Sequence, residues 1–283
     1  MSFIDKLGTT KFGKASIAAH YGFSRRAASV QILKHLFLEQ LKKESRYQDK
    51  KRLHLHEHQA FSQNGEDGII REIFRRIGAG NKTFIEIGVG DGLENNTVFL
   101  LYDGWRGLWV EGNAANCKKI KRHFTQQLQS GQIALSNTLV TMENVDNIVA
   151  SNRPQKEVDL LSIDVDRNTF YIWKALGNLK PRVIVVEYNA LFPADMAWAV
   201  EYSAEKWWRG STYFGASLKA FENLGRNFGY SLVGCDLSGT NAFFVRADLC
   251  DDSFCEPFTA ENHYEPDRDF LHGKSKRPRS LHD

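Results

Sequence analysis

From residue 66 onward the chain alternates between two hydrophobic rhythms. The segment EDGIIREIFRRIG (66–78) puts Ile69, Ile70, Ile73, Phe74 and Ile77 on one helical face, and Gly78 is a stop signal. Short apolar runs then recur at 83–87 (TFIEI), 107–111 (GLWVE), 133–140 (IALSNTLV), 158–164 (VDLLSID) and 182–187 (RVIVVE), each read as a strand. Helices are expected between and after them at 95–103, 114–129, 144–151, 168–178 and 213–228. This alternation predicts an α/β fold with a parallel sheet covered on both faces. The rhythm breaks at YSLVGCDLSGTNAFFVRADL (230–249), two strands joined by the turn-prone LSGT, so the sheet should close with an antiparallel hairpin.

The flanks read differently. In ASVQILKHLFLEQL (28–41), Val30, Leu33, Phe37 and Leu41 fall at helical spacing, with Ile32, Leu36 and Leu38 widening the stripe. Such a helix is expected to dock on the body or to self-associate. KKESRYQDKKRLHLHEH (42–58) reads as a charged connector; on a strand, His54, His56 and His58 would share one face and could hold a metal. Residues 251–283 are rich in charge and Pro, and GKSKRPRS reads as a tail. The expected division is a basic helical arm at 1–59, an α/β domain at 60–250 and a charged tail at 251–283.

Composition changes this picture little: 42% hydrophobic and 25% charged residues are ordinary for a globular protein. No apolar run approaches bilayer length and none resembles a secretory signal, so the expected location is the cytoplasm. Cys117, Cys235, Cys250 and Cys255 form no CxxC; Cys250 and Cys255 could pair, but free thiols fit a reducing compartment better. Charge is informative because the net +3 is unevenly spread: residues 1–60 carry 8 Lys and 4 Arg against 2 Asp and 3 Glu. A basic arm on an acidic body could meet an anionic partner, although such arms are more often a solvated surface.

The stretch TFIEIGVGDGLENNT (83–97) carries the chemistry. Its glycines, Gly88, Gly90 and Gly92, follow a strand as they would in a dinucleotide-binding loop, yet the third fingerprint position is Leu93. Glu86, Asp91 and Glu94 would repel a pyrophosphate, whose binding relies on bare amides and positive potential. They suit a cation instead, such as S-adenosylmethionine, which bears an ammonium and a sulfonium and no phosphate. Glu111 ends the second strand 19 residues after Gly92, where a carboxylate can accept ribose hydroxyls.

FSQNGEDGII (61–70), FIEIGVGDGLENNTVFLLYDGWRGLWVEGN (84–113) and LLSIDVDRNTFYIWKAL (160–176) together resemble the FkbM-type S-adenosylmethionine-dependent methyltransferases over roughly residues 60–248. The resemblance implies a Rossmann-like class I methyltransferase sheet, mostly parallel with an antiparallel C-terminal hairpin, to which this chain adds a helical N-terminal extension. It further implies O-methylation of a hydroxyl on a sugar, a glycan or a glycosylated natural product. With the loop residues Glu86, Gly88, Gly90, Gly92 and Glu111, it places Gln63, Asn64, Asn96, Thr141 and Asp164 in the cofactor site. One motif departs: where the family commonly reads I-D-x-E-G, this chain has Ile163-Asp164-Val165-Asp166-Arg167, a shorter acid and a bulky cation in place of glycine.

Ligands of open α/β sheets gather at the carboxyl ends of the strands. Those ends carry Asp164, Asp166, Glu187 and Asn189 besides the loop acids. A hydroxyl acceptor needs a base, for which Asp166 is the first expectation and Glu187 the second, with Asp164 beside them. The alternative is that Asp164, Glu187 and Asn189 hold Mg²⁺, which would orient the acceptor and lower its pKa. Arg167 argues against the ion, since its guanidinium would compete for the same carboxylates. Trp198, Trp207, Trp208 and Tyr213 lie in a 25-residue stretch from Leu191 to Gly215, expected to form either a sugar-stacking lid or packing on the sheet. The expected partner is a small-molecule or glycan acceptor, with self-association through the N-terminal helix; nucleic acid is not expected. Two other functions stay open, an inactive methyltransferase-like assembly protein and, on fold alone, an NAD-linked oxidoreductase.

Overall fold

The computed structural model describes residues 32–152, 157–206 and 208–271. Val30, Trp207 and the GKSKRPRS segment lie outside them. The chain divides into two units, Met1–Asp49 and Lys50–Asp283. In the first, residues 32–41 are helical, with Ile32, Leu33, Leu36 and Phe37 exposed and Leu41 buried.

In the second unit the elements run α1 (Glu66–Ile77), β1 (Thr83–Ile87), α2 (Val98–Tyr102), β2 (Arg106–Val110), α3 (Ala114–His123), α4 (Thr125–Gln129), β3 (Ile133–Ser136) and α5 (Val145–Asn152). They continue with β4 (Leu160–Ile163), α6 (Thr169–Ala175), β5 (Val183–Glu187), α7 (Leu218–Phe228), β6 (Tyr230–Cys235), β7 (Asn241–Arg246) and α8 (Ala260–His263). One seven-stranded sheet has the order β3-β2-β1-β4-β5-β7-β6. Every pairing is parallel except those of β7, which runs antiparallel to both β5 and β6. The hairpin read from LSGT therefore closes the sheet as expected.

Strand alternation divides the core between the two faces. Ile85, Ile87, Leu108, Val110, Leu161, Ile163, Ile184 and Val186 point to one side, where α5, α6 and α7 bury Val149, Trp173 and Phe221. Phe84, Trp109, Leu160, Val183 and Val185 point to the other, under Ile69, Ile70 and Ile73 of α1 and Val98 of α2. Two expected boundaries moved for tertiary reasons. The helix read at 114–129 breaks at Phe124, whose buried ring meets Trp109 edge-on with centroids 4.7 Å apart. The helix read at 213–228 starts only at Leu218, because the Ser217 side chain caps it by accepting the Ala220 N–H.

The flanks correct the expected division. Residues 50–59 belong with the body: Leu53 is buried in the core beside Ile69, and Glu57 accepts the Leu237 N–H. His54 and His56 sit in a 3-10 turn (Leu53–His56), so they do not share a strand face. His54 is buried, while His56 lies against Glu72 and Arg76. That segment is a wedge into the core, and its histidines are not gathered with other metal-capable side chains among the described residues. The tail begins later than 251. Phe254, Cys255 and Ala260 are buried, Arg268 pairs with Glu265, and the Tyr188 hydroxyl donates to the Glu265 carbonyl. Apolar residues scattered among charges at 254–268 supply this packing, and composition averaged them away. No disulfide joins Cys250 and Cys255.

Candidate functional site

Sheet register builds the site. Ile87 is aligned with Val110 and with Ile163, and Ile163 with Val186. The residues that follow, Gly88, Glu111, Asp164 and Glu187, must therefore emerge along one edge. The strand order reverses there, between β1 and β4, which is where ligands of open α/β sheets bind. Gly88 has φ of +87°, and a Cβ on it would lie 1.7 Å from the Asp164 carbonyl oxygen. Only glycine lets the two strand ends come this close.

The cleft at this edge is lined by Gln63, Glu86, Gly88, Gly90, Asn96, Asp164 and Glu187 from the sequence-derived set. It is also lined by Glu66, Asp91, Glu94, Asn95, Thr240 and Asn241. Among the described lining residues six side chains are carboxylates and none is Lys, Arg or His. The three glycine N–H groups are already spent: Gly88 donates to the Val110 carbonyl, Gly92 to that of Val89, and Gly90 to Glu111 Oε2 at 2.8 Å. A pyrophosphate would find acids around it and no free glycine amides.

Several expected ligands turn out to be scaffolding as well. Glu86 is buried and accepts from Asn95 Nδ2, Asn96 N, Thr97 N and Thr97 Oγ1 at 2.5–3.2 Å, tying the loop to β1. Burial pushes its carboxyl up to about 7 against the pull of these donors. Glu111 accepts from Gly90 N and Asn113 N, one on each oxygen, which leaves each oxygen capacity for another donor. Gly92 lies under Phe124, Ile120 and Trp109. Asn64 bonds to Glu66, and its buried Oδ1 has no partner among the described residues. Thr141 precedes α5, where its N–H donates to Asn144. Asn64, Gly92, Glu111 and Thr141 do not line the cleft.

Asp164, Asp166 and Glu187 form the one cluster of metal-capable side chains among the described residues, with oxygens all within 4.8 Å of one another. Asp164 is open to water through the cleft but enclosed elsewhere; that enclosure, then the charge of Asp166, raises it to about 6. Burial, then repulsion by Asp164 and Asp166, lifts Glu187 well above the carboxylate range. Oε2 of Glu187 is buried with no N–H or O–H partner among the described residues, so a proton shared with Asp164, a water or a ligand would satisfy it. Asp166 has φ of +52°, a strained conformation for a residue with a Cβ, and is exposed.

Two neighbours behave differently from the sequence reading. Asn189 is not brought to the cluster. It is fully buried, its Nδ2 donates to the Thr212 and Phe214 carbonyls, and its Oδ1 accepts the Leu191 N–H. Arg167 turns away: its Nη2 donates to the Glu201 carbonyl at 2.7 Å and its guanidinium lies over the Tyr213 ring at 5.4 Å. Arg167 therefore does not sit on the acids, and the objection to a cation that its position in the sequence raised falls. The long loop they hold carries stacked Phe192 and Trp198, centroids 4.2 Å apart, with Trp208 and Tyr213 exposed. Two cleft residues had no clear signal: Asn241 and Glu66, whose 2.7 Å bond exists because β7 inserts beside β5.

No family model and no curated protein matches the chain. Solved structures resemble it at low identity. The methyltransferase domain of METTL16 shares 14% identity over 65% of this chain and 67% of its own, with a TM-score of 0.41. A candidate caffeoyl-CoA O-methyltransferase from Staphylococcus aureus shares 15% over 77% and 99%, with a TM-score of 0.46. The N-terminal domain of EvdMO1, solved with SAH, shares 14% over 65% and 80%, with a TM-score of 0.42. These likenesses concern architecture alone. The fold is a Rossmann-like α/β sheet of seven strands, parallel except for the pairings of β7. No helix among the described residues is long and apolar enough to cross a membrane.

Proposed function

We propose that the chain is an S-adenosylmethionine-dependent O-methyltransferase acting on a hydroxyl of a sugar, glycan or glycosylated natural product. The observation that carries this reading is the cleft at the switch point, which among the described residues has six carboxylates, no cationic side chain and no unspent glycine N–H. Such a site suits a cationic cofactor and opposes NAD. Glu111 would take the ribose hydroxyls, and Asp164 the methionyl ammonium. Gly88 and Gly90 would give close backbone approach, beside Gln63 and Asn96. When bound, the cofactor supplies a methyl group activated by its sulfonium.

The protein's own work is alignment and proton removal. Asp166 would take the acceptor hydroxyl's proton: it is open to water beside the cleft, and enclosure on its other side raises its pKa. Its strained backbone is fixed by its neighbours, since Arg167 and Asn168 both donate to carbonyls of the long loop. The exposed rings of Trp208 and Tyr213 support a sugar acceptor, because flat aromatic faces stack on apolar sugar faces. The exposed stripe of Ile32, Leu33, Leu36 and Phe37 supports self-association through the N-terminal helix.

A divalent ion is a second reading of the same cluster, favoured by the orphaned Glu187 Oε2 and the diverted Arg167. Asp164, Asp166 and Glu187 would hold it, their spacing suiting oxygen ligands at about 2.0–2.6 Å from a hard cation. It would supply Lewis acidity. Calorimetry decides the main reading: heat with S-adenosylmethionine and its demethylated product, none with NAD. Heat with NAD alone would overturn it. Binding of S-adenosylmethionine without turnover on any glycosyl acceptor would favour an assembly protein.

A further inference from the structure

A second cavity, of about 510 Å³, opens at the opposite end of β1 and β2 from the acidic cleft. Lys82 and Trp105, which immediately precede those strands, lie in its wall, five strand residues or about 15 Å from the glycine loop. Buried Phe74, Leu100 and Trp105 form an apolar floor, with Phe74 and Trp105 edge to face at 4.7 Å. Tyr102 stands exposed at its side. The rim is cationic. Arg75 is tied to Glu72 and Lys82 to Asp103, but the Arg71 side chain has no hydrogen bond or ion pair among the described residues. The size and the apolar lining with a few convergent polar groups are those of small-molecule sites.

We propose that this cavity binds a small amphipathic anion: an aromatic or acyl body carrying a single carboxylate, sulfonate or phosphate. The apolar body would lie on Phe74, Leu100 and Trp105, and the charge would meet Arg71. Charge also argues against the chain's own N-terminal unit as occupant, since Met1–Asp49 holds nine Lys and Arg against four Asp and Glu. The cavity is the electrostatic opposite of the acidic cleft, so the two would not compete for one ligand.

The test uses the full chain and 1-anilinonaphthalene-8-sulfonate, an aromatic monoanion whose fluorescence reports burial. Saturable binding at one site is expected, with the uncharged N-phenyl-1-naphthylamine at least tenfold weaker. Ala79→Trp, at an exposed rim position, should fill the cavity and weaken the sulfonate at least tenfold, and Arg71→Glu should do the same. Both positions are exposed, so circular dichroism and Tm should stay those of the parent. Sulfonate affinity within twofold of the parent in both variants would place the probe elsewhere and overturn the proposal. Equal affinity for the neutral analogue would overturn its anionic part.

Discussion

Glu111 Oε2 accepts the backbone N–H of Gly90 at 2.8 Å, so the side chain expected to hold the ribose also clamps the loop that would cradle the cofactor. Its other oxygen fixes the Asn113 N–H at 2.7 Å. Removing the carboxylate should therefore cost both contact and preorganisation. Glu111→Ala should weaken S-adenosylhomocysteine by about 1.5–3 kcal/mol, the range for charge-assisted bonds. Calorimetry showing affinity indifferent to Glu111 would overturn the ribose assignment.

Proton removal and ion binding predict different responses from one cluster. If Asp166 is a simple base, chelator leaves turnover unchanged, and Asp166→Asn slows it about 10²–10⁴-fold with cofactor affinity intact. If the cluster holds a divalent ion, chelator abolishes turnover and Mg²⁺ restores it, while Asp164→Asn and Glu187→Gln lose activity and metal affinity together. In neither case should Asn189→Ala alter metal affinity, because its amide is engaged by the 212–214 segment. Turnover that survives both chelation and loss of Asp166 would leave alignment as the whole of catalysis.

Stability should fall as pH rises through the weakly acidic range. Burial holds Glu86 and Asp236 at about 7 and Asp164 at about 6, above their ordinary 4.5, 3.8 and 3.8. Between those limits the folded chain keeps protons that the unfolded chain has released. Each raised carboxyl therefore contributes fully below its unfolded pKa and loses that contribution as pH passes the folded one. Glu72, lowered to about 2 by its hydrogen bond to Arg75, acts oppositely and only at lower pH. The Tm of the ligand-free protein should decline from about pH 5 to about pH 7.5. A Tm that climbs steadily across that interval is the contrary result.

Truncation should separate arm from wedge. A chain starting at Lys50 should fold and bind cofactor as the full chain does. One starting at Gln59 should be markedly less stable, because it lacks Leu53 in the core and the Glu57 bond to Leu237. Leu53→Ala alone should cost about 2–5 kcal/mol in urea unfolding, the range for emptying a buried leucine site. Equal stability of the two truncated chains would show the wedge to be dispensable.

Local rhythm determined the architecture. Strands β1, β2, β4 and β5 were readable to within two residues at either end, because a strand covered on both faces must be apolar along its length. The glycine loop and the acids at the strand ends were readable too, since they follow those strands directly. What the sequence could not show was where long side chains turn. Arg167 looked like a competitor for Asp164 and Asp166, but it is drawn to a carbonyl and a ring from residues 201–213, a loop without periodicity. Asn189 looked like a ligand and became a brace of that same loop. The Glu66–Asn241 bond and the burial of Leu53 and Phe254 join segments about 175–200 residues apart. Such pairs carry no local pattern; they exist only once the sheet order brings β7 beside β5, and that order is a property of the packed whole.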